Sequence, residues 1–295
     1  MQNGGHNWLI WLSLVAIGIN STGRVNSAAP VTTGYVMLGS DGGIFNFGSS
    51  KFFGSLPALG IKPNAVLTVV KNSASEQGYF FMGRDGGIFC FGDACFLGSL
   101  PVLGISNTAV DMEPSPSGSG YQILGIDGGI FAFGDSPFYG SLPALGISIN
   151  NALDMERTPS GGGYWILAGD GGIFSFGDAR FWGSLPALNV VPNRPLKKIK
   201  STLTGNGYYL LGEDGALFAF GDAVYLGSLT SLGVTNQAVD LELDRAGRGY
   251  YILGVDGTVY GFGAVPMKGK LPDYGINLNR QKLENPILDM DLNRK

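Results

Sequence analysis

Two sets of aspartates recur along this chain, and their neighbours decide what chemistry each could do. In the first, Asp41, Asp85, Asp127, Asp170, Asp214 and Asp256 are each followed by glycine. Asp-Gly is turn chemistry: the carboxylate bonds backbone two residues on, and the glycine supplies positive φ. These six are read as structural, as are Asp93, Asp135, Asp178 and Asp222, which follow a glycine at a later turn. In the second set the acids alternate with apolar residues: Asp111 with Glu113, Asp154 with Glu156, Asp240 with Glu242, and Asp289 with Asp291. Lys198 with Lys200, and Thr68 with Val70, are taken as the equivalent pairs in the other two copies. Residues two apart share one face of a strand. Such acids could ligate Ca²⁺ or Mg²⁺ through oxygen alone or act as a glycosidase pair. They could equally form a solvated rim in which the lysines relieve repulsion.

Other residue types narrow the choice. His6 is the only histidine, and it precedes the repeats described below. A Ser-His-Asp triad and histidine-ligated zinc therefore have no histidine to use. Cys90 and Cys95 are the only cysteines. They flank a turn sequence, Phe91-Gly92-Asp93-Ala94, and pairing of flanking strands would bring them to disulfide distance. The alternative is two small residues filling repeat positions.

These residues sit in a unit written six times, beginning at Gly34, Gly78, Gly120, Gly163, Gly207 and Gly249. Its tyrosines, Tyr35, Tyr79, Tyr121, Tyr164, Tyr208 and Tyr250, recur every 42 to 44 residues. That period, in a chain of short strands, marks a β-propeller. The third copy shows the elements. Residues 109–113 alternate as a strand does, and Pro114 to Ser119 is a turn. Residues 121–124 and 130–133 are apolar strands joined by Asp127-Gly128-Gly129, and Phe138-Tyr139-Gly140 begins a short fourth. The expectation is an all-β, six-bladed propeller with four antiparallel strands per blade. The first unit lacks its own leading strand, and residues 286–292 copy that strand with nothing after it. The C-terminal strand is therefore expected to complete blade one and close the ring, which removes exposed edges.

Positions that vary between copies are the candidates for binding. Before Gly-Ser stand Phe53, Leu97, Tyr139, Trp182, Leu226 and Lys268; after the repeat tyrosine stand Val36, Phe80, Gln122, Trp165, Tyr209 and Tyr251. Trp165, Trp182, Tyr139, Phe53, Tyr209 and Tyr251 offer flat faces for stacking on sugar rings or gripping a protein. Packing between blades is the alternative use.

The chain has 295 residues, 49 of them glycine, with 14% charged residues and a net charge of −4. That leaves no basic footprint for nucleic acid. Trp8 to Ile19 is an apolar run too short to span a bilayer comfortably, followed by small residues at Ser27-Ala28-Ala29. Residues 1–29 are read as a secretory signal peptide and 30–295 as a single propeller domain. No integral membrane span is expected in the mature chain.

The copy from Gly163-Tyr164-Trp165-Ile166-Leu167 through Asp170-Gly171-Gly172-Ile173-Phe174-Ser175-Phe176-Gly177-Asp178-Ala179 to Phe181-Trp182-Gly183-Ser184 resembles a secreted bacterial repeat of the form GYWLxxxDGGVFxFGDAxFxGS. The strand-and-turn pattern is also similar to NHL and YVTN propellers. The resemblance covers about residues 30–292 and implies a propeller outside the cell or at its surface, extracellular or periplasmic, without an established activity. By the same resemblance the alternating strand is innermost, so that eight carboxylates and two lysines ring the central channel. Repeats one and six depart from the pattern, with Ser49 and Ala264 in place of the aspartate after glycine. The leading functional expectation is an exported, non-catalytic propeller binding a glycan or protein. A carbohydrate-active hydrolase or lyase using the channel-mouth carboxylates, and a structural surface or matrix protein, are the rivals. No cofactor is expected beyond a Ca²⁺ ion on those carboxylates.

Overall fold

The computed structural model describes residues 32–63, 65–276 and 286–293. The segment read as a signal peptide lies outside the described residues. Numbered in chain order, six strands occupy the middle of six sheets: β1 (Gly34–Gly39), β4 (Gly78–Gly83), β7 (Gly120–Gly125), β10 (Gly163–Ala168), β13 (Gly207–Gly212) and β16 (Gly249–Gly254). Every residue of these six strands is buried. Such strands carry apolar side chains on both faces because a neighbouring sheet covers each face. Each leads through an Asp-Gly turn to an outer strand: β2 (Ile44–Gly48), β5 (Ile88–Gly92), β8 (Ile130–Gly134), β11 (Ile173–Gly177), β14 (Leu217–Gly221) and β17 (Val259–Gly263). On its other edge each pairs with an inner strand: β18 (Ile287–Leu292), β3 (Leu67–Asn72), β6 (Ala109–Pro114), β9 (Ala152–Arg157), β12 (Leu196–Ser201) and β15 (Ala238–Leu243). All pairings are antiparallel.

The first sheet joins the two ends of the described chain. β18 pairs with β1, Tyr35 opposite Leu292 and Leu38 opposite Asp289. Inner strands touch their neighbours in the order β18, β3, β6, β9, β12, β15, and β15 touches β18. Six apolar clusters follow the same order, each shared by two adjacent sheets; one of them joins Tyr251 and Leu253 of β16 to Tyr35 and Met37 of β1.

The expected fourth strand does not form: each sheet has three strands among the described residues. The chain turns sharply after β8 at Gly134, where φ is 65° and a Cβ would lie 2.1 Å from the Ser119 carbonyl oxygen. The following stretch then takes its hydrogen bonds from side chains rather than from a ladder. The Tyr164 hydroxyl of the next sheet donates to the Gly140 carbonyl at 2.5 Å and accepts from the Tyr139 N–H at 3.2 Å. The same double contact recurs at Tyr79, Tyr121, Tyr208 and Tyr250, and Tyr35 donates to Gly269 of the sixth sheet. The repeat tyrosine is thus a latch between sheets.

A one-residue β-bulge precedes the inward-facing position in every inner strand, with Thr68, Val110, Leu153, Lys197, Val239 and Leu288 as the extra residues. Bulges re-aim the side chains that follow them. The register also corrects the alignment of the second copy. Val69, opposite Met82, occupies the place of Asp111 opposite Leu124. The inward pair there is Val69 and Lys71, not Thr68 and Val70, because Thr68 is the bulge residue.

Candidate functional site

The bulges bring Asp111, Glu113, Asp154, Glu156, Asp240, Glu242, Asp289 and Asp291 together at the centre with Lys71, Lys198 and Lys200. All eight acids are buried. Their oxygens answer a specific need, since the free edge of each inner strand presents N–H groups to the preceding sheet. Asp289 accepts from the Val70 N–H at 2.9 Å, Asp111 from Met155 at 3.2 Å, Asp154 from Ile199 at 2.8 Å and Asp240 from Met290 at 3.1 Å. A second tier does the same: Asp291 accepts from Asn72 at 2.7 Å and Glu156 from Ser201 at 3.2 Å. Each of these six acids clips its own strand to the following sheet.

The lysines compensate the charge. Lys198 Nζ lies 3.1 Å from Asp289, 3.4 Å from Asp154 and 3.8 Å from Asp240. Lys200 stands between Glu242 at 2.8 Å and Glu156 at 3.5 Å, and Lys71 meets Glu113 at 2.7 Å. Burial pushes Asp154 and Asp240 well above the usual carboxylate range, and raises Asp289 and Glu156. For Lys71, Lys198 and Lys200 burial acts downward, but the surrounding carboxylates hold all three above the usual lysine value. The space left among these side chains is about 10 Å³, room for one water. Among the described residues no group of three or more Asp, Glu, His or Cys is arranged to hold a metal ion. The Lys198 and Lys200 ammonium groups lie among these acids.

The aromatic candidates are placed differently from the stacking surface expected of them. Trp165 and Tyr251 are fully inaccessible and Tyr209 is 5% exposed. Their polar atoms turn inward to one repeated task. Trp165 Nε1 donates to the Arg180 carbonyl at 2.7 Å, Tyr209 to Val224 at 2.9 Å and Tyr251 to Pro266 at 3.0 Å, while Gln122 donates to Pro137. Each lies over a small cross-strand partner: Ser175, Ala219, Gly261 or Ala132. In the first sheet Val36 is too short, and its partner Asn46 donates to the Lys51 carbonyl at 2.8 Å instead. In five of the six sheets variation here therefore preserves a hydrogen bond. Tyr139 and Trp182 are half-buried, donating to Gly161 at 2.9 Å and Gly205 at 3.1 Å, and Phe53 packs edge-on against Tyr79. Of the six, Trp165, Tyr209 and Tyr251 are buried, and Tyr139, Trp182 and Phe53 remain partly exposed.

The turn aspartates do structural work. Asp127 Oδ1 accepts from Gly129 N at 2.9 Å, and the equivalent bond recurs at the other five Asp-Gly turns. Asp93, Asp135, Asp178 and Asp222 each accept from two hydroxyls of their own sheet, Ser115 and Ser117 in the case of Asp135. Where the aspartate is missing, its partner has changed too. Ser49 faces Asn293 Nδ2 at 3.5 Å, and opposite Ala264 the acid has moved to Asp244, held by Arg248 at 2.8 and 2.9 Å and by Thr32 at 2.9 Å.

Cys90 and Cys95 are free thiols, half-buried and exposed. The hairpin geometry expected to join them is absent, since no strand follows Gly92 to pair with β5.

What the sequence reading missed is on the outside. Phe52, Phe96, Phe138, Phe181, Tyr225 and Met267 occupy one motif position, one per sheet, and are 42–55% exposed. The signal was present as a near-invariant aromatic in a stretch with no strand partner. An open depression of about 720 Å³ lies beside Pro186 and residues 189–195, and its only acid, Asp170, is bonded to Gly172 N.

No family model matches this chain, and no curated protein matches it in sequence. Solved structures do match in shape. Sqt1 of Chaetomium thermophilum aligns with a TM-score of 0.52 at 14% identity over 80% of this chain and 68% of that one. Sqt1 bound to the N-terminus of the ribosomal protein L10 aligns with a TM-score of 0.52 at 13% identity, over 78% and 69%. The fold is that of a β-propeller repeat protein. At such identity the likeness concerns the fold alone. No helix among the described residues is long and apolar enough to cross a membrane.

Proposed function

We propose that this chain is a closed six-bladed propeller that binds a protein partner and carries out no catalysis. The pairing of β18 with β1 and the clips from Asp240 to Met290 and from Asp289 to Val70 support closure. The observation that carries the binding reading is the set of large apolar side chains presented one per blade at Phe52, Phe96, Phe138, Phe181, Tyr225 and Met267. Aromatic side chains and methionine are enriched in protein interfaces, and a rigid ring presents them without an ordering cost at the moment of binding. A propeller of similar shape, Sqt1, has been solved with a segment of a partner protein bound. The hydrolase or lyase reading has less support, because the channel carboxylates are buried and bonded to backbone and lysine. Glycan stacking has less support, because Trp165, Tyr209 and Tyr251 are buried. Export, to the cell surface or beyond, rests on the apolar run at Trp8–Ile19.

Panning a displayed random-peptide library on the purified chain, beside a glycan array, tests the reading. Peptide binders that no longer bind a Phe138→Ser/Phe181→Ser variant of unchanged circular dichroism are expected. Glycan binding without peptide binding, or peptide binders indifferent to that variant, would overturn it. Sequencing the N-terminus of the protein recovered from its host tests export separately.

A further inference from the structure

The stretch that follows each outer strand has no ladder to hold it. Five sheets tie it down with a side-chain donor to one carbonyl, through Gln122, Trp165, Tyr209, Tyr251 and, in the first sheet, Asn46. The second sheet is the exception. Its residue at this position is Phe80, opposite Cys90, and the carbonyl fifteen residues on belongs to Cys95. Phenylalanine has no donor. Cys90 occupies the place of Asn46, and Cys95 the place of Lys51. In the first sheet the side chain of residue 46 reaches the backbone of residue 51 at 2.8 Å, so the same geometry sets Cys90 beside Cys95. The Cys90 thiol is pushed up to about 11, by burial first and then by Cys95 nearby. Cys95 is exposed, and its thiol donates to the Asp93 carbonyl of its own turn at 3.6 Å.

We propose that Cys90 and Cys95 form a redox-responsive staple, a disulfide that ties this stretch to β5 where the other sheets use a hydrogen bond. The oxidant is a small disulfide such as oxidised glutathione. The more accessible Cys95 attacks first as the thiolate. The Cys95–glutathione S–S bond forms, the glutathione disulfide breaks, and one glutathione leaves with the proton Cys95 gave up. Cys90 then loses its proton and attacks the Cys95 sulfur, releasing the second glutathione. Two protein thiols are oxidised, and one glutathione disulfide is reduced to two thiols.

The full chain is equilibrated in glutathione mixtures of rising oxidising strength, with free thiols counted and intact mass measured. The expected product is a monomer two hydrogens lighter, without free thiols and without retained glutathione. A Cys90→Ala chain should instead keep one glutathione on Cys95. Chymotrypsin cleavage after Phe96 should slow several-fold on oxidation of the natural chain. In a Phe80→Tyr/Cys90→Ala chain, which copies the Tyr209 and Ala219 pair of the fifth sheet, cleavage should be slow whatever the redox state. A natural chain that remains a dithiol, retains glutathione or links to a second copy in the most oxidising mixture overturns the proposal. So does cleavage after Phe96 that oxidation leaves unchanged.

Discussion

The Tyr208 hydroxyl stands between the Gly183 carbonyl and the Trp182 N–H of the preceding sheet. Tyr208→Phe removes both contacts and leaves a partly buried N–H without an acceptor, so urea titration should show a loss of about 1–3 kcal/mol. Lys198 holds three buried acids at once. Lys198→Met should cost about 3–5 kcal/mol by the same titration, because it strands buried charge rather than a surface pair. The sequence made some residues legible and hid others for a physical reason. Asp127 with Gly128 announces its turn because the bond is local, between residues two apart. Trp165 gives no such notice. Its acceptor, the Arg180 carbonyl, lies across a strand, and only the packed sheet shows that Trp165, Tyr209 and Gln122 do one job with three chemistries.

At the scale of the strand, the acids divide the inner strands into clipped and unclipped neighbours. Val70, Met155, Ile199 and Met290 each give an N–H to an aspartate of the preceding sheet. The corresponding residues after Val69 and Lys198 are Met112 and Leu241, which face a side chain that cannot accept. Hydrogen exchange followed by NMR should find the Met112 and Leu241 amides faster than those four; equal rates would remove the clip from the account. The strands themselves were readable from alternation and turn residues. The bulge was not, because it depends on how β3 sits against β4, and a slip of one residue turns the whole inward face. Thr68 and Val70 therefore stood in the sequence reading where Val69 and Lys71 stand in the sheet. The fourth strand failed for a related reason: Phe138-Tyr139-Gly140 has strand composition, but its hydrogen bonds belong to Tyr164 of the next sheet.

For the whole molecule, the central charges and the latching tyrosines set the response to pH. Asp154, Asp240, Asp289 and Glu156 are raised by burial, Lys71, Lys198 and Lys200 by the acids around them, and Tyr79, Tyr164, Tyr208, Tyr250 and Tyr251 by burial to about 12. In every case the folded chain holds protons that the unfolded chain releases, so stability falls as pH rises. For the acids the fall begins above their unfolded values near about 4; for the lysines and tyrosines it begins above about 10. Calorimetry at constant ionic strength should give a higher Tm at pH 5 than at pH 8, and a further drop above pH 10. Asp244, whose tendency to rise on burial is overcome by Arg248 and Thr32, acts in the opposite sense only at lower pH. Deleting residues 286–295 removes β18 with Asp289 and Asp291 and bares the edge of β1. The truncated chain should lose cooperative unfolding, which a sharp calorimetric transition would contradict. The sequence by itself determined the six-fold period, the turn chemistry and an inner strand rich in acids, because these are written in residues a few positions apart. Only the tertiary structure decided that the acids bond backbone and lysine, that Trp165, Tyr209 and Tyr251 are inside while Phe138 and its equivalents are outside, and that Phe80 leaves the second sheet without the hydrogen bond the others make. Each of those depends on which side chains from different sheets share a space, and no spacing along one chain encodes that.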